Sequence, residues 1–438
     1  MNMEEKFQRA YRSLEDTIEK RHQKDIYTAL GYTSNLDLLC DFQVEKLNDL
    51  LARHMQGKNL REMRIAKKIR TMEELLETIV CYCIHGIGGE TDVENTELVR
   101  ESFLFQNGMG GTAVQAALAL AAVGGETLVH LTDDSEEVRE ILKSPYIHVA
   151  LENGEIGHVD QVKARNPQEL HFILQFKKGD IVRLDGQEIE IPCSNRVILT
   201  KNTVNEYLPL WVPYFRWIEQ NAGRVSSNVL SSFNSILEPE ILKDRLGYIK
   251  EHVEAYRRNN PKGVVYFEDA HYHDENICRL CIESIAPCVD IFSMNEEELQ
   301  YTLKEFYGYP VNINDICSCA EGAEFLMKKL GIRRGIIIHT KDYAMYVGDA
   351  QGIEIEKGLM YGALMATSKA LYGSYGNKEQ IRDVMKLNLS DQGCRHLRKL
   401  EESIWKDRTV LIPTLYLDKP KYTIGLGDSF TGGVQMCF

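Results

Sequence analysis

No run of about 18 apolar residues occurs along the chain, so no segment reads as a membrane-spanning helix. The N-terminus lacks the apolar stretch of a signal peptide. Residues 1–25, MNMEEKFQRAYRSLEDTIEKRHQKD, are polar and read instead as an amphipathic helix. Basic charge is in deficit: 51 Lys and Arg against 65 Asp and Glu leave a formal charge of −14. That argues against non-specific nucleic-acid binding and against an anionic membrane surface. It leaves room for a phosphorylated ligand, because a pocket can be locally positive on an acidic protein. Ordered cysteine spacing is also missing. The eleven cysteines are odd in number and scattered, as expected of reduced thiols in a cytoplasmic protein. Cys278 and Cys281 form a C-x-x-C, but no second pair stands at zinc-finger spacing. Their surroundings, ENICRLCIESIA, read as a helix with both thiols on its apolar face. No Pro- or Ser-rich linker and no internal repeat marks a domain boundary.

What is present is ordinary globular composition, 44% hydrophobic and 26% charged over 438 residues, ample for a large core. Apolar β-rich runs alternate with helical stretches. DIYTALGY (25–32), GETLVHLT (125–132), NVLSSF (228–233), GVVYFEDA (263–270), VDIFSMN (289–295) and RGIIIHT (334–340) read as strands. This rhythm predicts a parallel sheet covered on both faces by helices, with ligands beyond the carboxyl ends of the strands. Residues 38–105 and 151–200 break the rhythm and carry hairpin signals at KKGD and LDGQ. They are expected to form one small inserted α+β domain. Residues 1–37, 106–150 and 201–438 then form the large α/β domain.

Four segments carry candidate chemistry. In TSNLDLLCD (33–41), Asn35 and Asp37 point the same way if the chain stays extended, and an amide beside a carboxylate can hold vicinal hydroxyls. The alternative is an Asx turn or cap. NGMGGTAVQ (107–115) is a glycine loop with no strand expected immediately before it, running into a helix. Its glycines either bring the backbone close to a ligand or only permit packing. In SMNEEELQ (293–300), Asn295 and Glu298 fit a capping box and equally a pair that orients water around magnesium. In TIGLGDSF (423–430), Gly425 and Gly427 free the N–H groups of Leu426, Gly427 and Asp428 to face an anion. A helix start beyond them adds its positive end. Asp428 beside such an anion hole is placed to take a proton from a hydroxyl, as phosphoryl transfer to an alcohol requires.

In this order, SNLD, GMGGTA, LHFILQF, SNRVILTKN, MNEEEL, HTKDYAMYV and VLIPTL…TIGLGDSF resemble the ADP-dependent glucokinase and phosphofructokinase family, a branch of the ribokinase-like sugar kinases. The resemblance runs from about residue 25 to 433. It implies a three-layer α/β/α sandwich with a smaller lid, ADP as phosphoryl donor and a magnesium cofactor. It also assigns roles. Asp428 is the base, and the backbone of Gly425, Leu426 and Gly427 is the anion hole. Asn295 and Glu298 organise magnesium and its waters. Arg196 grips the nucleotide phosphates, while Asn35, Asp37, Gly111, Thr112 and His171 hold the sugar. Ile412, Pro413 and Ile424 border the adenine, with His339 and Thr340 at a neighbouring strand end. Family members usually run a little further past the last motif.

Three positions depart from the family's pattern. Thr112 stands for Gln or Asn, Tyr266 for the His of an H-x-E motif, and Ser232 for Gly. Glu90, in HGIGGETDV (85–93), either matches the position where glucose-using members carry a glutamate, where a carboxylate repels a sugar phosphate, or is a solvated loop residue. Glucose is therefore favoured over fructose 6-phosphate, although Lys177, Lys178 and Arg183 offer positive charge. The loop FEDAHYHDE (267–275) places His271 and His273 among carboxylates, either as a metal site or as a plain strand-end loop. A monomer or small homo-oligomer is expected. Residue chemistry alone leaves open an ATP-dependent kinase of another sugar or of a nucleoside. A non-catalytic binder would have no need of Asp428.

Overall fold

The computed structural model describes residues 2–40, 42–350 and 352–438. A ten-stranded sheet forms its frame. In spatial order the strands are Thr409–Pro413, Tyr343–Gly348, Gly335–His339, Ile291–Asn295, Val264–Glu268, Val225–Leu230, Tyr27–Leu30, Thr127–Val129, Ile147–Ala150 and Ile156–Gly157. The seven from Gly335–His339 to Ile147–Ala150 are parallel. The sheet departs from the all-parallel expectation at both margins, where strands join antiparallel.

Alternation along each strand builds two cores, because successive side chains leave opposite faces. Leu30, Val129, Tyr266 and Ile337 enter one core with helices Met3–Gln23, Thr112–Val123 and Ile355–Tyr372. Their neighbours Ala29, Leu128, Phe267 and Ile338 enter the other with helices Val212–Gln220, Pro239–Asn259, Glu275–Ile285 and Ile316–Leu330. The result is helix, sheet, helix. The N-terminal helix buries Phe7, Ala10, Leu14 and Ile18, the three- and four-residue spacing its sequence predicts. Cys278 and Cys281 are both buried on their helix, and no cysteine among the described residues is in a disulfide. Among the described residues no helix is long and apolar enough to cross a membrane.

The irregular stretches build a second, six-stranded sheet. Its order is Lys68–Ile69, Gly89–Val93, Asn195–Lys201, Leu170–Phe176, Asn35–Cys40 and Phe105–Gly110. One face, with Leu36, Leu38, Phe172, Leu174, Val197 and Leu199, packs on helices Val44–His54 and Met72–His85. The boundaries differ from those read in the sequence. Asn35–Asp37 and Gln106–Gly110 pair within this sheet, whereas Ile156–Gly157 pairs at the margin of the large one. The glycine loop does follow a strand directly, Phe105–Gly110. Its glycines and polar residues carry no apolar alternation, so the sequence masks it. The hairpin Ile181–Leu184/Gln187–Glu190 turns through Asp185 and Gly186 at φ 48° and 78°, the geometry its LDGQ signal specifies.

Ser232 adopts φ +65°, a left-handed conformation in which glycine is unstrained. Ser232→Gly is expected to stabilise the protein by about 0.5–1 kcal/mol, read as a rise in the midpoint of chemical denaturation with an unchanged slope. A fall would show that the Ser231–Ser232 hydroxyl contact of 3.3 Å outweighs the strain.

Candidate active site

The register of the six-stranded sheet assembles residues far apart in the chain. Asp37 pairs with His171, His171 with Thr200, and Thr200 with Asp92. Directly opposed residues share a face, as do residues two apart on a strand. Asn35, Asp37, His171, Arg196, Glu90 and Asp92 therefore all project from the face opposite the helices. The residue at 112 follows at the end of the neighbouring strand. Lys177 and Lys178 lie beyond the end of the strand Leu170–Phe176, and Arg183 does not join this face. Arg183 lies on the separate hairpin and pairs with Glu188 at 2.9 Å.

Within that face, Asn35 and Asp37 are each only 4% exposed. The Asn35 amide donates to Asp37 Oδ1 at 2.7 Å and meets His171 Nδ1 at 3.1 Å, while His171 Nε2 meets Asn202 Oδ1 at 3.2 Å. The segment is extended rather than an Asx turn. The adjacent glycines are required by closeness. A Cβ at Gly110 would lie 2.2 Å from Asn35 Nδ2 and 2.4 Å from Asp37 Oδ1. Gly111 has φ +98° and would place its Cβ 2.4 Å from the Thr33 carbonyl. Gly111 caps the helix Thr112–Val123, so Thr112 opens it.

The C-terminal helix Leu426–Val434 starts three residues before Ser429, the start read from the sequence. Its N-cap is Gly425 in the left-handed conformation, φ 67°. The first intrahelical bond runs from Ser429 N–H to the Gly425 carbonyl at 3.1 Å. No turn lies behind Leu426, Gly427 and Asp428 to accept their N–H groups, so these three amides are left free at the helix start, an arrangement that suits an anion. The Asp428 side chain leaves the same turn, near the Thr112 side chain. Burial raises its pKa above the usual aspartate range, and nearby Glu268 and Asp37 add to that. Lys369 and Thr112 oppose it. Asp37 is likewise raised by burial, against the opposing charges of His171, Lys369 and Arg196.

The same helix start borders a cavity of about 440 Å³. Leu426 and Gly427 line it together with His339, Thr340, Asn295, Ala363, Ala366, Leu415, Leu417 and Pro420. His339 and Thr340, expected beside the nucleotide, thus line this cavity. Ile412, Pro413 and Ile424 are not among the lining residues. Ile412 is wholly buried in the core beneath the sheet, and the wall is made by the chain just beyond it, from Thr414 to Pro420. Arg196 is exposed on the small sheet, and its charge reaches Asp37 and Tyr422.

Asn295 and Glu298 form the capping box. Asn295 Oδ1 accepts from the N–H groups of Glu297 and Glu298, each at 2.9 Å, and Glu298 Oε2 accepts from Asn295 N–H at 2.8 Å. Burial raises the Glu298 pKa. Among the described residues no group of three or more His, Cys, Asp or Glu could hold a metal by itself. The donor set nonetheless suits a hard cation held largely through water. Asp269 Oδ1 is buried without a hydrogen-bond partner, and it lines a second cavity of about 370 Å³ with Asn295, Glu297 and Glu298. His271 and His273 do not converge on a metal site. His273 Nε2 instead meets Glu90 Oε2 at 3.2 Å, bridging the large-sheet loop to the small sheet.

Of the other residues of this centre, Glu268 and Tyr266 belong to the altered H-x-E motif, whereas Lys369 carries no signal in the sequence. Lys369 is 3% exposed. It donates to Gln115 Oε1 at 2.6 Å, to the Tyr375 hydroxyl at 3.1 Å and to the Gly425 carbonyl at 3.4 Å. Glu268 accepts from the Thr431 hydroxyl at 2.7 Å and pairs with His339 Nε2 at 2.9 Å. Tyr266 points its hydroxyl at the same carboxylate, 3.4 Å away. Burial would lower the His339 pKa, but Glu268, Glu298 and Glu296 outweigh it and the net shift is upward.

Residues 27–434 match the ADP-specific Phosphofructokinase/Glucokinase conserved region. The ADP-dependent glucose/glucosamine kinase of Pyrococcus furiosus is 24% identical over 92% of this chain and 92% of its own. An ADP-specific phosphofructokinase from Thermococcus kodakarensis is 27% identical over 62% of each. Among solved structures, the last common ancestor of ADP-dependent phosphofructokinases from Methanosarcinales superposes with a TM-score of 0.81 at 20% identity, covering 100% of this chain and 98% of that one. An ADP-dependent kinase in complex with fructose-6-phosphate and ADPbetaS reaches 0.73 at 17% identity, over 98% and 97%. The family match and the fold are those of a phosphotransferase acting on a hydroxyl. The chain belongs to the ADP-specific phosphofructokinase/glucokinase family.

Proposed function

We propose that the protein transfers the β-phosphoryl group of magnesium-bound ADP to a sugar hydroxyl, converting glucose to glucose 6-phosphate in preference to using fructose 6-phosphate. One observation carries the reading. Asp428 stands at a helix start whose Leu426 and Gly427 line a cavity of about 440 Å³, and its carboxylate feels the charge of Asp37, which shares the polar sheet face with Asn35 and His171.

In this reading Asn35, Asp37 and His171, with Gly111 and Thr112, hold the sugar hydroxyls. ADP occupies the cavity against His339 and Thr340, its terminal phosphate at the amides of Leu426, Gly427 and Asp428. The sugar oxygen forms the new bond to the β-phosphorus as the bond to the bridging oxygen breaks, and AMP leaves. Asp428 accepts the hydroxyl proton, which its raised pKa favours. Arg196, on the small sheet acting as a lid, balances phosphoryl charge with its planar fork. Asn295 and Glu298 would hold magnesium through water, and the ion supplies charge neutralisation on the phosphoryl oxygens when bound. Positioning and electrostatics provide most of the acceleration.

Glucose is favoured because Glu90 and Asp92 add negative charge to the sugar-facing side, which repels a phosphorylated acceptor. Glu90→Gln is expected to lower kcat/KM for glucose by about 10–100-fold, the scale of one charge-assisted hydrogen bond. An unchanged value would remove Glu90 from the sugar site. The reading as a whole is tested by initial rates for ADP and ATP against glucose, fructose 6-phosphate and a nucleoside. ADP with glucose should dominate. Activity with ATP and none with ADP would overturn it.

A further inference from the structure

Resting on that reading, we propose that Lys369 is a positioning residue of the transfer. Its buried ammonium fixes the Gly425 turn that aims the anion-binding amides, and it holds Asp428 in the charged, proton-accepting form.

Lys369 lies on the helix Ile355–Tyr372, whose residues Ala363, Ala366, Thr367 and Ala370 line the nucleotide cavity. A lysine buried to 3% exposure must satisfy its three donors. It does so on neutral acceptors alone: the Gln115 side-chain carbonyl, the Tyr375 hydroxyl and the Gly425 backbone carbonyl. The Tyr375 ring adds a cation–π contact, its centroid 4.2 Å from Nζ. The counter-charges are Asp428 and Asp37, and neither appears among the hydrogen-bond partners. The ammonium is thereby stationed near both carboxylates without bonding either. Asp428 keeps its lone pairs for a proton, while the neighbouring positive charge keeps it ionised.

The anchors tie this cation to the rest of the site. Gln115 is 5% exposed and lies one turn along the helix that Thr112 opens, and Thr112 reaches Asp428. The Gly425 carbonyl that Lys369 binds also accepts the Ser429 N–H, the first bond of the C-terminal helix. A Cβ at Gly425 would fall 2.6 Å from Lys369 Nζ, so the turn and the ammonium occupy adjoining space.

The groups facing Asp428 come from five elements. They are Lys369, the Thr112 hydroxyl, Asp37 on its strand, Glu268 on the strand Val264–Glu268, and Tyr375 in the loop after the lysine's helix. Lys369 is the only cation among these five. Burial lowers the Lys369 pKa to about 8, against the opposing pull of Asp428 and Asp37. Its charge is present below that pH and lost above it.

The test compares wild type with Lys369→Met and Lys369→Arg, each checked for folding by circular dichroism. With ADP and glucose, Lys369→Met is expected to lower kcat at neutral pH by about 10–100-fold, with KM for ADP within about threefold. The acid limb of its kcat/KM profile should move to higher pH, because the cation that opposes Asp428 protonation is gone while Glu268 and Asp37 remain. Lys369→Arg, always charged, should keep the acid limb and displace the alkaline limb near pH 8 upward. A second readout needs no turnover: carboxyl titration by NMR on 13C-aspartate-labelled protein, with the Asp428 signal assigned by its loss in Asp428→Asn. The Asp428 midpoint should rise in Lys369→Met. Folded Lys369→Met with wild-type kcat and an unmoved Asp428 midpoint overturns the proposal. Wild-type protein without ADP-dependent transfer overturns the functional reading instead, and the titration still decides the role of Lys369.

Discussion

Asp428→Asn is expected to lower kcat by about 10²–10⁴-fold, the range set by losing a general base, while KM for ADP stays near the wild-type value. The amide is isosteric and leaves the helix start, with its free N–H groups at Leu426 and Gly427, in place. It can still meet the Thr112 hydroxyl. Stability should not fall. The folded-state pKa of Asp428 lies above the ordinary aspartate value, so ionising it at neutral pH costs stability, and a neutral amide removes that cost. In wild type the same raised pKa places the acid limb of kcat/KM above the usual aspartate range: activity is lost as pH falls through it. Steady-state kinetics and a thermal melt check both parts. A variant keeping more than about a tenth of wild-type turnover would be inconsistent with general-base catalysis by this carboxylate.

Gly425→Ala should be nearly as damaging, for a different reason. At φ 67° a side chain is strained by about 1–2 kcal/mol. Its Cβ would also stand 1.8 Å from Gln115 Oε1 and 2.6 Å from Lys369 Nζ. Relief requires the turn to move, and the amides of Leu426 to Asp428 move with it. Loss of one such donor costs about 10²–10³-fold in kcat. Gly57→Ala provides the control. Gly57 has φ 80°, and a Cβ there would meet nothing within 4 Å, so the variant carries the backbone strain without the clash. It should lose about 1 kcal/mol of stability and retain full turnover. Equal kcat losses in the two variants would show that the Gly425 effect is not local to the anion-binding turn.

The legible parts of this molecule are those whose chemistry is local in the chain. Gly425, Gly427 and Asp428 are consecutive or nearly so, and a helix start needs only that neighbourhood. Asn35 and Asp37 are two apart, so strand alternation suffices to align them. Their union with His171 and Glu90 on one face depends on sheet register, which the family resemblance supplied and the residues alone did not. Lys369 was illegible because nothing in MATSKALYG separates a buried lysine from one that reaches water along a helix. Its partners Gln115 and Gly425 lie 254 and 56 residues away. Ile412, expected beside the adenine, is carried into the core by strand pairing, and the chain walls the cavity only beyond it, from Thr414 to Pro420. The strand Phe105–Gly110 is hidden in the sequence because its pairing with Asn35–Cys40 rests on backbone bonds and glycine contacts, not on alternating apolar side chains.

The central claim is a placement: sugar and nucleotide meet at Asp428. A crystal structure of the protein with glucose and a non-transferable ADP analogue tests it most directly. Glucose is expected on Asn35, Asp37 and His171, and the terminal phosphate on the amides of Leu426 to Asp428. The reacting hydroxyl should lie within about 3.5 Å of both the phosphorus and the Asp428 carboxylate. Glucose or the nucleotide bound elsewhere, or a hydroxyl out of reach of Asp428 with both sites filled, would contradict it.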